Sequence, residues 1–354
     1  SSGQADSLVD FNRAGVPLME LVTEPVIKDS GKALEFAKEL QLILKYLDAS
    51  DADMEKGQMR VEANVSIAEK GAKKLGTKVE LKNINSFRAV ASAIAYEIER
   101  QEKVITSGEK VIQETRGWDE SKGETFSQRI KEAADDYRYM PEPDLPPISF
   151  KSADTLDLEK IKISVPELPA GKRERFIKEF GMRADQVEIL IVDMRLSEYF
   201  EEVYSELSTM EKTTEKSTQL LVNYLTSDVT GLLNEKRQSI LDLKIKAEDM
   251  AELVSLIETG QISSRIAKDI LREMFEKGAD PHTIIKDKDL GSVEDEEIGS
   301  VVEAVISENE KAVEDYKKGK EAAVKFLVGQ AMGRLRGRGN PELLEKLFLD
   351  HLSK

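Results

Sequence analysis

The 354-residue chain has no cysteine and only two histidines, His282 and His351. The first absence excludes disulfides, thiolate nucleophiles and cysteine-based zinc sites. The second argues against a Ser-His-Asp triad or a multi-histidine metal centre. A bound metal is therefore expected to have carboxylate ligands, which favour a hard ion such as Mg²⁺. No run approaches the roughly 18 apolar residues of a membrane helix, and no cationic, apolar leader opens the chain. No Walker loop or dinucleotide glycine pattern is present, so nucleotide binding by those routes has no support. The chain opens "SSGQADSLVD" without a methionine, which is read as a fragment whose N-terminal part is missing.

What is abundant is charge. Charged residues make up 34% of the chain and hydrophobic ones 40%, a balance that suits a soluble protein with many exposed helices. The length allows two or three domains. A net charge of −16 argues against indiscriminate nucleic-acid binding, because phosphate contacts need Lys and Arg, but it leaves room for a local basic surface.

The two halves are patterned differently. In the first, "QMRVEANVSI" (58–67) alternates strictly, with Met59, Val61, Ala63, Val65 and Ile67 opposite Arg60, Glu62, Asn64 and Ser66. "TKVELKN" (77–83) repeats the pattern. "VIQETRGW" (111–118) and "TFSQRIK" (125–131) predict a hairpin around "DESKGE". "GVPLMELVTEP" (15–25) reads as a mostly apolar strand carrying Glu20. Two amphipathic helices intervene. One covers 30–47, with Ser30 as cap and Ala33, Phe36, Ala37, Leu40, Ile43, Leu44 and Leu47 on its stripe. The other covers 86–105, with Ser86 as cap and Phe87, Val90, Ala91, Ile94 and Ile98 inward. The expected class is α+β, a largely antiparallel sheet with helices on its apolar face.

A connector over roughly 148–171 leads to a region that reads as helix almost throughout. Its segments include 184–207, 217–236, a helix ending at Gly260, one from a Ser263 cap to Gly278, and a last one opened by Asn340 and Pro341. Linkers near 208–217 and 286–297 suggest two subdomains.

Three places could carry chemistry. If the strands pair, the polar face of the sheet gathers Arg60, Glu62, Asn64, Glu80 and Lys82, with Glu114, Arg116, Arg129 and Lys131 nearby. Carboxylates for an ion beside cations for phosphates would bind a metal–phosphate complex. A solvated face with cross-strand ion pairs is the plainer reading of the same pattern. In "DDYRYMPEPDLPP" (135–147), four of the ten prolines stiffen a loop directly after Arg138 and its flanking tyrosines. Arg138 could grip a carboxylate or phosphate, or form a structural ion pair. In "GRLRGRGN" (333–340), Arg334, Arg336 and Arg338 alternate with small or apolar residues, either as a flexible helix junction or as a local grip on RNA.

Six stretches in order, "SLVDFNRAGVPLMELVTEP", "GQMRVEANVSI", "GTKVELKNINSFRAV", "QETRGWDE", "DDYRYMPEPDLPP" and "FLVGQAMGRLRGRGNPELL", resemble the GatB family, the B subunits of the aspartyl/glutamyl-tRNA(Asn/Gln) amidotransferases, over essentially the whole chain. The resemblance implies a glutamine-synthetase-like antiparallel-sheet catalytic domain (1–165, partial), an all-α helical domain (166–290) and a YqeY-like helical tail (291–354, the YqeY-like region starting near 206) that touches tRNA.

It also implies a ligase, a glutaminyl- or asparaginyl-tRNA synthase of the glutamine-hydrolysing kind. ATP and Mg²⁺ serve to phosphorylate the side chain of Glu-tRNA(Gln) or Asp-tRNA(Asn). Ammonia released by an amidase partner, the A subunit, then displaces the phosphate. The heterotrimer is completed by a small C subunit. The expected setting is the cytoplasm, or an organellar matrix. By this resemblance Glu20, Glu62 and Glu80 match metal-site positions. Arg60, Lys82 and Arg138 are expected on phosphate or carboxylate, with Asn64 and Arg116 beside the nucleotide and Arg334, Arg336 and Arg338 on tRNA. The family usually has Asp where Glu62 stands, and Lys56 occupies a commonly acidic position. The family's N-terminal segment, with further metal-site residues, is not in the sequence, so the chain as given is not expected to assemble a full active site. The competing reading is a non-catalytic tRNA-binding or scaffolding protein that uses the helical half.

Overall fold

Alternation of apolar and polar side chains produces the sheet it predicts. The computed structural model describes residues 11–12, 15–130, 157–210, 213–288, 290, 295–317, 320, 322–335 and 337–352. In it the chain divides into two compact units, Ser1–Pro166 and Glu167–Lys354. The first contains strands β1 (Val61–Val65), β2 (Val79–Ile84), β3 (Glu114–Asp119) and β4 (Glu124–Ile130), in sheet order β1-β2-β3-β4. Val65, Val79, Leu81 and Ile84 are buried, together with Ala89, Val90, Ala93 and Ile94 of the helix α2 (Phe87–Thr106). A second helix, α1 (Ser30–Tyr46), precedes the sheet in the chain.

Two of the three strand pairings are antiparallel, as expected, but one is not, so the sheet is mixed. β1–β2 and β3–β4 are antiparallel, and the hairpin expected from 111–118 and 125–131 is there as β3 and β4, but β2 and β3 run parallel. The 20-residue α2 between them is the crossover that a parallel pair needs. Ser86 caps α2 through a hydrogen bond from the Ala89 amide (3.1 Å). At the end of β2, Asn83 takes a left-handed conformation (φ 60°), which asparagine tolerates better than most residues, and its side-chain amide reaches the Trp118 carbonyl.

Other expectations are corrected. Residues 16–24 form no strand and are exposed throughout, with Leu18 at 92%. No other strand pairs with them among the described residues, so their apolar pattern alone does not make a ladder. Asp29, not Ser30, caps α1, because its carboxylate accepts from the Lys32 amide. The buried stripe of α1 is Ala37, Leu42 and Tyr46, leaving Phe36 and Leu47 exposed.

The second unit is helical. The expected helix over 184–207 is two, Ala184–Ile191 and Met194–Met210. The segment over 217–236 runs Glu215–Asn223, a π-helical stretch Tyr224–Val229 and Thr230–Lys236. Part of the connector is helical too, at Leu158–Ser164 and from Pro169. Ser263 caps Ser264–Lys277, and Gly260 and Gly278 adopt positive φ, as their end positions require. Among the described residues this unit holds two buried apolar clusters, one drawn from Phe176 to Ile284 and one from Ile298 to Leu352. The Ser263 hydroxyl donates to the Gly337 carbonyl at 2.7 Å and so ties the loop before the last helix to the start of Ser264–Lys277.

Candidate functional site

Strand alternation sorts the sheet into two faces. Val79 and Leu81 point toward α2, so Glu80 and Lys82 point the other way, onto the open face. Cross-strand register places Asn64 opposite Glu80, and Glu62 emerges on the same side. The Lys82 ammonium lies 3.5 Å from a Glu62 oxygen and 3.7 Å from a Glu80 oxygen. It thus sits between two carboxylates from adjacent strands. Glu80 is the more enclosed of the two, with 16% of its side chain exposed against 49% for Glu62. Its other oxygen accepts a 2.8 Å hydrogen bond from Thr115 Oγ1. Thr115 stands beside Glu80 because β2 and β3 are parallel and in that register.

The reverse face carries an ionic network among buried groups. Glu97 and Gln101 of α2 are fully buried. Glu97 binds Arg100 through two oxygens (2.9 and 2.7 Å) and lies 3.6 Å from Arg116. Arg116 also donates to the Thr125 hydroxyl and carbonyl and to Glu114. Burial would raise the Glu114 carboxyl, but hydrogen bonds from Ser127 and Arg116 and the charges of Arg116 and Arg100 outweigh it. The group is held below the usual carboxylate range. The Arg100 guanidinium is raised above its ordinary value, chiefly by its hydrogen bonds to Glu97. Gln101 reaches over β1, donating to the Val65 carbonyl and accepting from the Ile67 amide.

The structure therefore brings together Glu62, Asn64, Glu80 and Lys82, with Arg60 exposed just before β1. It does not bring Arg116 or Glu114 to that face. Arg116 aligns with Leu81, a core residue, and turns toward α2, where Glu97 offsets its charge. Glu20 lies in the exposed, strandless segment. Among the described residues no three carboxylates or histidines form a group able to hold a metal, so Glu20, Glu62 and Glu80 do not converge as a triad. Arg138 and Arg336 lie outside the described residues. Arg334 pairs with Glu308, and Arg338 lies 3.7 Å from Glu297, both carboxylates on the helix Asp295–Glu308.

Sequence reasoning missed Thr115, Glu97 and Gln101. The last two continue the spacing of Val90 and Ile94 along α2 (90, 94, 97, 101), so the helical period itself marked them as inward. Thr115 had no such signal, because its role depends on which strand lies next to it.

Two carboxylates on one face fit what Mg²⁺ requires of a protein. The ion commonly takes one or two carboxylates and fills its remaining positions with water and substrate phosphate oxygens. Glu62 and Glu80 already converge on a cation, the Lys82 ammonium.

Two family models match the chain, the GatB/GatE catalytic domain over residues 1–155 and the GatB domain over residues 199–352. Its relatives include proteins named as the B subunit of aspartyl/glutamyl-tRNA(Asn/Gln) amidotransferase. That of Carboxydothermus hydrogenoformans is 43% identical over 349 residues, 98% of this chain and 70% of the relative. That of Caldicellulosiruptor saccharolyticus is 43% identical over 98% of this chain and 71% of the relative. That of Crocosphaera subtropica is 43% identical over 98% and 68%. With the open sheet face at one end of the chain and the arginine-bearing helical tail at the other, both inside these matches, the chain belongs to the GatB family, the B subunits of the aspartyl/glutamyl-tRNA(Asn/Gln) amidotransferases.

Proposed function

We propose that this chain is the part of a tRNA-dependent amidotransferase that activates the side-chain carboxylate of Glu-tRNA(Gln) or Asp-tRNA(Asn). In this reading it works with an amidase A subunit, which supplies ammonia, in a heterotrimer completed by a small C subunit. The observation that carries the reading is the Glu62–Lys82–Glu80 arrangement on the open face, within a chain of this family. ATP with Mg²⁺ would supply the phosphoryl group that gives a poor electrophile a leaving group. Bringing an anionic carboxylate to an anionic nucleotide requires positive charge between them. Lys82 provides one such charge on the open face and Arg60 a second at its rim. Arg138, in the proline-rich stretch, is proposed as a third. Glu62 and Glu80 would hold the divalent ion, and Asn64 offers a neutral amide next to Glu80.

In the same reading, residues 1–165 form a glutamine-synthetase-like catalytic domain, 166–290 a helical domain, and 291–354 a tail that meets tRNA through Arg334, Arg336 and Arg338. The expected setting is the cytoplasm. No helix among the described residues is long and apolar enough to cross a membrane.

The test combines the protein with its partner subunits, ATP, Mg²⁺ and each mischarged tRNA in turn. Glu80→Gln and Glu62→Gln should each slow amidation on the order of a hundredfold, the scale expected when a group that stabilises transition-state charge is lost. Undiminished phosphorylation of the aminoacyl side chain in both variants would overturn the metal assignment. Comparing the two tRNAs identifies the substrate.

A further inference from the structure

Glu80 is a long, flexible carboxylate on the open sheet face, and a flexible ligand binds weakly unless something fixes its orientation. Thr115 is placed to do this. It is only 7% exposed, and its hydroxyl donates to one oxygen of Glu80 at 2.8 Å while the other oxygen lies toward Lys82. A β-branched residue is stiff at χ1, so its hydroxyl direction follows the backbone. That backbone is held from behind. Neighbouring Arg116 is tied on the reverse face to Glu97, Glu114 and Thr125, and Glu114 on the other side is tied to Arg116. The strand offering the hydroxyl is thus anchored to α2 through charge-assisted hydrogen bonds, which are stronger than neutral ones.

We propose that Thr115 is a positioning residue for the divalent-cation site. Its hydroxyl sets the plane of the Glu80 carboxylate so that the oxygen lying toward Lys82 presents to the ion. The inference rests on the reading of Glu80 as a metal ligand. It adds a residue on β3 to a site otherwise made from β1 and β2, and it makes the parallel β2–β3 register a requirement of that site.

Two substitutions separate this role from simple packing. Thr115→Val keeps the shape and the β-branch but removes the donor. Thr115→Ser keeps the donor but removes a methyl group. Mn²⁺ is titrated alone into the full chain and followed by electron paramagnetic resonance, and the Mg²⁺ dependence of amidation is measured in the assembled enzyme. Positioning predicts that Thr115→Val weakens Mn²⁺ binding about 10- to 100-fold, the usual effect of losing a group that orients a ligand. It also raises the Mg²⁺ concentration needed for half-maximal rate more than it lowers kcat, and Thr115→Ser restores both. Equal losses in Val and Ser, or a loss in Ser alone, would mean packing and overturn the proposal. Mn²⁺ binding that falls with Glu80→Gln but is indifferent to Thr115→Val overturns the Thr115 role and leaves the metal reading intact. Binding unchanged by Glu80→Gln removes both together.

Discussion

Arg116 on β3 and Glu97 on α2 face each other 3.6 Å apart beneath the sheet, the glutamate fully buried and the arginine side chain 13% exposed. Removing one member of a buried pair leaves the other charge uncompensated, which costs far more than the intact pair contributes. Glu97→Ala should therefore destabilise the first unit by about 3–5 kcal/mol. The chain's one tryptophan, Trp118, is buried on the same face and packs edge-on against Tyr96, so its fluorescence during urea unfolding reports this unit. An unchanged midpoint would show that the network is not structural.

The depressed Glu114 carboxyl predicts the acid response of the sheet. A group whose folded pKa lies below its unfolded value contributes stability that is complete above the unfolded pKa. That stability is lost as pH falls through the folded pKa, because the unfolded chain takes up the proton first. Stability of the first unit, followed by Trp118, should fall on acidification below the ordinary glutamate range. Glu114→Gln should flatten that slope while lowering the plateau at neutral pH. An identical slope in the variant would show that other carboxylates govern acid unfolding.

Gly76, in the connection between β1 and β2, is held by a close approach rather than by an unusual φ. A Cβ there would lie 1.9 Å from the Ile67 carbonyl oxygen, a backbone atom that no side-chain rotation can move. Gly76→Ala should cost about 1–3 kcal/mol, the range seen when a packed region is overfilled. Because the strain falls between β1 and β2, the same variant should also weaken Mn²⁺ binding if Glu62 and Glu80 hold the cation as proposed. Full stability and full binding together would contradict the close approach of these two backbones.

In the tail, Arg334 and Arg338 are already paired with Glu308 and Glu297. If these arginines grip tRNA, they must exchange those partners for phosphates. Glu297→Gln with Glu308→Gln should then tighten tRNA binding. Neutralising the two arginines should weaken it and reduce the slope of log affinity against log salt by roughly one per lost phosphate contact. Binding indifferent to both sets of changes leaves the arginines as a structural junction. The Ser263–Gly337 hydrogen bond speaks for a structural component at this loop. Ser263→Ala removes it along with the helix cap and should cost about 1–2 kcal/mol in a thermal melt.

Some of this was written in local patterns. The alternation at 61–65 and 79–84, the Ser86 and Ser263 caps and the glycine stops at 260 and 278 all depend on interactions within a few residues, so the sequence alone determined them. Glu62, Glu80 and Lys82 were legible as one face for the same reason: period two assigns a side, whatever the partner. What only the tertiary structure decided is which side other strands show and who stands beside whom. The same alternation in 114–118 fits either face, and it was the parallel pairing with β2 that sent Arg116 inward to Glu97 and brought Thr115 to Glu80. Residues 16–24 carry an apolar pattern yet form no strand, because a strand is completed by hydrogen bonds to a neighbour that local sequence does not name.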